Sequence, residues 1–274
     1  MKTIITSIGL FLAFECFSQK HTITKVWETD TVLAIPESVL PDFKNELLYV
    51  SLIDGEGWAN DGKGGVAILS TNGQIVNSNW ITGLNAPKGL GRIGNLLYVA
   101  DNDEVVVVNT DRHAVQEKIH IKGAKRLNDI AVDSRSKAVF VADSKTGRIW
   151  RIVDYRPELY LDSIKGANGL KFVKGNLFFA NGKTLMKADA GKQLSRVAEL
   201  PSGIDGIEPV GNGDFLVTAW SGFVYYVFSN GQFEILLDTR MEKKNAADLG
   251  FDPHKRIIYV PSFNGKTVAA YQLR

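Results

Sequence analysis

Apolar and polar positions alternate with a period of two along most of this chain, in short runs rich in Val, Ile, Phe and Tyr and separated by Gly, Asn and Asp. That pattern predicts β-strands joined by tight turns, and no stretch carries a sustained helical period. Six runs are near copies of one another: Leu47 to Val50, Leu96 to Ala100, Ala138 to Ala142, Leu177 to Ala180, Phe215 to Ala219 and Ile257 to Val260. Further strands follow several of them, at Val66 to Leu69, Val105 to Val108, Ile149 to Ile152 and Val224 to Val227. Asn72-Gly73 and Asn230-Gly231 then turn the chain into fourth strands.

Ahead of each near-identical strand lies a second recurring segment, which places one residue just before a short apolar stretch. The six copies begin at Glu37, Lys88, Asn128, Asn168, Asp205 and Ala247, in steps of 51, 40, 40, 37 and 42 residues. Strand-rich units at this spacing predict propeller blades, and six of them close a ring around a channel. The last unit ends at Arg274 after three strands, so a spare strand near Ile23 to Trp27 is expected to complete it and remove an open sheet edge. The predicted fold is all-β: a six-bladed β-propeller over residues 20–274, closed by the N-terminal strand.

Residues 1–19 read as a leader rather than as part of the propeller. Lys2 is followed by an apolar run from Ile4 to Phe14, too short to span a bilayer, and by small residues around Cys16 and Ser18. The expectation is a signal peptide cleaved near Gln19 and an exported product, periplasmic or extracellular. Glu15 fits poorly with a lipid anchor on Cys16. Beyond Cys16 there is no cysteine, which excludes disulfides and thiolate metal ligands. A net charge of +2, with no basic run, excludes the usual nucleic-acid footprint, and no later segment is apolar enough for a membrane span.

Five of the six recurring positions carry a charged or amide side chain, and the sixth copy carries Asp248 one residue later. An apolar ring would avoid the cost of burying polar groups, so this register is where chemistry is expected. Glu37 and Asp205 offer two negative charges, and Asn168 and Asn128 neutral oxygens; such a set suits hard cations. Alternatively, Asn and Asp here cap the turn into the strand through their own backbone. Lys88 is the misfit: it bends away, pairs with Asp101 or Asp129, contacts an anionic substrate, or replaces a metal by bridging Glu37 and Asp205. The long loop from Ile53 to Gly65 returns to the same face, either covering the channel mouth or forming a Gly-rich surface excursion. Trp58 and Trp220 fall on that face, where a ring can stack on a ligand, whereas Trp27, Trp80 and Trp150 are expected between blades. The four histidines form no persuasive dyad, and no nucleophile elbow, zinc-protease pair or Walker sequence is present.

Pro36-Glu37, Arg126-Leu127-Asn128-Asp129, Asn168-Gly169-Leu170 and Gly203-Ile204-Asp205-Gly206 together resemble the motifs of the senescence marker protein (regucalcin) and gluconolactonase family of six-bladed propellers, in order and in matching blades. The resemblance implies one divalent ion, calcium first with magnesium, manganese or zinc as alternatives, held by Glu37, Asn168 and Asp205. It further implies Arg126 and Asn128 as substrate contacts and Asp205 as the catalytic group. The expected function is metal-dependent hydrolysis of a lactone, such as a sugar lactone, or a related ester. The competing expectation is a non-catalytic exported propeller that binds a small molecule, glycan or protein through the same face.

Overall fold

The computed structural model describes residues 20–274, so the leader expected over 1–19 lies outside the described residues. Those residues form 24 strands arranged as six four-stranded antiparallel sheets. The innermost strands are Pro36–Asp42, Pro87–Ile93, Leu127–Asp133, Ala167–Val173, Ile204–Gly211 and Gly250–Asp252. Each contacts its neighbours in sequence order and the last contacts the first, which closes the ring. A 3₁₀ turn at Arg240–Glu242 is the one helical element among the described residues, and no helix there is long and apolar enough to cross a membrane.

The closing strand, Ile23–Glu28, pairs antiparallel with Thr267–Leu273 in the order expected of it, with Ile23 opposite Leu273 and Trp27 opposite Ala270. Trp27 wedges between the last and first blades, tilted against Tyr259 and donating its indole N–H to the Thr71 carbonyl at 3.1 Å. Trp80 and Trp150 are buried in apolar clusters that join neighbouring blades, as anticipated. Packing between sheets, rather than any single centre, carries the core.

Around the channel, the residue after each recurring position sets how closely blades approach. Gly89, Gly169 and Gly206 lie in extended backbone without positive φ, so no turn requires them. A Cβ on Gly169 would sit 2.2 Å from the Asp205 carbonyl oxygen, and one on Gly89 2.5 Å from the Asp129 Cα. These glycines exist because the next inner strand is already there. At the remaining places side chains tie the strands instead: Asp129 accepts the Leu170 N–H of the next blade at 2.6 Å, and the Ser38 hydroxyl donates to Asp248 at 2.5 Å across the ring closure.

Candidate functional site

The recurring register does converge. Glu37, Lys88, Asn128, Asn168 and Asp205 line one cavity of about 230 Å³ at the mouth of the channel, walled by Ile53, Gly57, Trp58, Trp220 and Phe263. Each polar member is the second residue of an innermost strand, inside the register shift that lies between the strand's first and fourth residues. Ala247 fills the sixth place, and Asp248 belongs to the Ser38 contact instead of the cavity.

Three oxygens in this cavity are buried and lack a hydrogen-bond partner: Glu37 Oε2, Asn168 Oδ1 and Asp205 Oδ2. Leaving a buried polar atom unsatisfied costs about 1–3 kcal/mol. Three such acceptors on side chains that line one cavity can take up a donor or a cation. The Asn168 amide donates to Asp205 Oδ1 at 2.7 Å, which fixes both side chains and leaves their other oxygens without a partner. Two carboxylates and one amide carbonyl fit a hard divalent cation in chemistry and charge; among the described residues no cluster of three His, Cys, Asp or Glu side chains supplies an alternative.

The electrostatics agree with the geometry. Burial pushes the Glu37 carboxyl well above the usual carboxylate range, with the nearby Asp205 charge adding to the rise and Lys88 opposing it. Burial likewise raises Asp205 to about 6, against the pull of the Asn168 hydrogen bond and of Lys88. Both groups prefer a proton or a positive charge to bare ionisation.

Lys88 does not supply that charge by contact. Its ammonium donates to the Gly57 carbonyl at 2.7 Å and the Ala86 carbonyl at 3.0 Å, and lies 4.0 Å from the centre of the Trp58 ring. Of the alternatives for Lys88, it is the one that bends away: among the described residues it forms neither a bridge between Glu37 and Asp205 nor a pairing with Asp101 or Asp129. Asp101 is occupied by the Asn85 and Ala86 N–H groups at 2.8 and 2.7 Å, and Asp129 by Ile130 and Leu170. The reason is local: two carbonyls and an aromatic face beside the Lys88 stem satisfy the ammonium without drawing it across the channel. Burial lowers its pKa, while Glu37, Asp101 and Asp205 hold it up.

Lys88 thereby pins the loop between the second and third strands of the first blade. Asn102 holds the same loop from the second blade, donating to the Ala59 carbonyl at 3.0 Å and to the Asn60 side chain. Of the two readings of this loop, covering the mouth is the one realised, and Trp58 is its contribution to the wall. Arg126, expected to face substrate, is exposed on the rim with its guanidinium 5.1 Å from the Trp58 ring, outside the cavity lining. Asn128 and Trp220 do line the cavity.

Sequence reasoning missed Ile53 and Phe263, although a register signal marks them. Each immediately follows the second strand of its blade, as Trp220 does: Leu47–Leu52 then Ile53, Asp214–Ala219 then Trp220, Ile257–Ser262 then Phe263. Blades five, six and one are adjacent around the ring, so these three residues form an apolar arc. At the same register, blades two, three and four carry Asn102, Ser144 and Gly182.

No family model and no curated protein matches the sequence. Solved structures do match its fold. A gluconolactonase from Xanthomonas campestris superposes with a TM-score of 0.66 at 17% identity, over 88% of this chain and 87% of that one. A luciferin-regenerating enzyme gives 0.65 at 12% identity over 92% and 95%. A catalytically inactive virginiamycin B lyase from Staphylococcus aureus, crystallised with quinupristin, gives 0.63 at 12% identity over 92% and 99%. The chain has the fold of these propellers, gluconolactonases among them.

Proposed function

We propose that this protein is a divalent-metal-dependent hydrolase of lactones or related esters, exported from the cytoplasm. The observation that carries the reading is the trio of buried, unpartnered oxygens on Glu37, Asn168 and Asp205. These three would hold the ion, calcium first, and when bound it neutralises the buried carboxylates and polarises a carbonyl oxygen as a Lewis acid.

The protein's own groups supply the rest. Asp205 would take a proton from water as its oxygen adds to the carbonyl carbon, with the Asn168 amide holding the carboxylate in place through Oδ1. The carbonyl C–O bond to the leaving oxygen then breaks, and that oxygen recovers the proton from Asp205, giving a hydroxy acid from a lactone or an acid and alcohol from an ester. The Lys88 ammonium makes the wall positive beside the developing oxyanion. Asn128 positions the substrate by hydrogen bonding.

Calcium titration by calorimetry and a lactone and ester panel test this together. Asp205→Ala is expected to abolish both calcium binding and hydrolysis while the β-sheet circular dichroism persists; Asn128→Ala is expected to weaken turnover more than metal binding. Failure of the wild type to bind calcium, magnesium, manganese or zinc at millimolar concentration would replace the hydrolase with a non-catalytic binding propeller. Intact-mass analysis of exported protein is expected to begin near Gln19.

A further inference from the structure

We propose that the ligand of this cavity is a small carbonyl compound bearing an apolar ring or short alkyl group, an aryl or alkyl lactone or ester, and not a polyhydroxylated sugar lactone. This rests on the hydrolase reading for the reacting group but draws on different atoms for the rest of the molecule.

The first support is a count of partners. A sugar lactone brings several hydroxyls, and each buried without a hydrogen bond costs about 1–3 kcal/mol. The polar side chains of the cavity are largely committed: Glu37, Asn168 and Asp205 are assigned to the ion, and the Lys88 ammonium already serves two carbonyls. Arg126 stands outside on the rim, which leaves Asn128 as the free polar side chain of the lining. One amide does not satisfy a polyol.

The second support is the apolar arc. Ile53 is fully buried, and Trp220 and Phe263 pack edge to face with ring centres 4.7 Å apart. Trp220 nevertheless stays 42% exposed, with its ring in the cavity wall. A large aromatic surface left open beside a polar floor suits a ligand with one reactive polar end and one apolar end. The third support is size. A cavity of about 230 Å³ lies below the roughly 300–1,000 Å³ that encloses a drug-sized ligand. A space of this size at the channel mouth suits a single ring or short chain.

The test uses the whole protein with calcium present. Dihydrocoumarin and phenyl acetate serve as apolar substrates, glucono-1,5-lactone as the sugar lactone, and 4-chromanone as a non-hydrolysable aryl ketone whose binding is read by quenching of tryptophan fluorescence. The expected result is a kcat/KM at least about tenfold higher for the apolar substrates, the scale set by hydrophobic pocket contacts. Trp220→Ala and Phe263→Ala should each erode that preference about tenfold through KM, with calcium affinity unchanged and with Trp220→Phe restoring it. Equal or better turnover of glucono-1,5-lactone would overturn the ligand class while leaving a hydrolase in place. Hydrolysis of nothing, with 4-chromanone still bound and released by Trp220→Ala, would support the ligand class and remove the hydrolase. Failure of all the apolar probes to bind would overturn the proposal.

Discussion

Closure of the ring is most sharply tested at Glu28, the last residue of the closing strand. Its carboxylate accepts the Lys244 ammonium at 2.5 Å, the Lys25 ammonium at 2.8 Å and the Thr267 hydroxyl at 2.9 Å, joining the N-terminal strand to the final strand and to the loop ahead of the sixth blade. Burial alone would raise its pKa, but these three donors outweigh burial and bring it from 4.5 down to about 2. The folded state therefore prefers the ionised form. The contribution is complete above the unfolded pKa near 4.5 and is lost as pH falls toward 2. A displacement of that size corresponds to at most about 3 kcal/mol, and because the carboxylate is partly wet we expect ~1–2 kcal/mol after screening. In a chain this long that is a Tm decrease of about 3–6 °C for Glu28→Gln at pH 7. Urea unfolding of wild type and variant at pH 7, 5, 4 and 3 measures the gap directly, since all other carboxylates titrate in both proteins. The gap should shrink steadily below pH 4.5 and also fall in high salt. A gap that is absent at pH 7, or constant down to pH 3, would refute the claim that an ionised Glu28 latches the ring.

Three further substitutions probe the inner strands and the loop. Gly169→Ala puts a methyl 2.2 Å from a backbone oxygen of the next blade, and overpacking of this kind is expected to cost about 1–3 kcal/mol or more in urea unfolding, with calcium retention lost as Asp205 is displaced. Asn102→Gly keeps the left-handed backbone of that position while removing both side-chain bonds to the loop; limited proteolysis within residues 54–62 should accelerate and KM should rise with little change in Tm. Lys88→Met keeps the buried stem but removes one positive charge beside Glu37 and Asp205, so calorimetry should show calcium bound about fivefold tighter or more, the equivalent of ~1 kcal/mol, while hydrolysis slows.

The ring and its closure were legible because both depend on one-dimensional patterns. Period-two runs count strands, fixed spacing counts blades, and a missing fourth strand at Gln272 points to a spare at Ile23. Glu37, Asn128, Asn168 and Asp205 were legible for the same reason, since equivalent places in a repeat must face one axis. Lys88 was not. Its choice between two carboxylates and two carbonyls depends on where the Gly57 carbonyl and Trp58 ring arrive from a loop whose path no local pattern specifies. Arg126 depends on the same loop: its guanidinium lies 5.1 Å from the Trp58 ring and outside the cavity lining, a placement that its motif does not specify. The role of the glycines after Lys88, Asn168 and Asp205 was not legible either. They are strand residues made small by a neighbouring backbone, a constraint visible when adjacent blades are seen together.

Neighbouring registers of the inner strands thus divide the labour. The first register, from Glu37 through Asp205, turns toward the cavity and leaves oxygens unsatisfied. The next, Ser38, Gly89, Asp129, Gly169, Gly206 and Asp248, is spent on contact between blades, as close-packed glycine or as a side chain bonded across the gap. Asp129 illustrates why acidity alone does not identify a site residue. Burial pushes its pKa up to about 7 even though two backbone N–H groups pull the other way, and both its oxygens are taken. A carboxylate with its acceptors filled holds strands together; one with an acceptor left open toward a cavity, as in Glu37 and Asp205, has capacity for a ligand. The strand-to-strand bonds of the second register are also what keep the first from relaxing. With the inner strands tied at Ser38, Asp129 and Asp248, the backbone that carries the open oxygens is held in place around the closed ring.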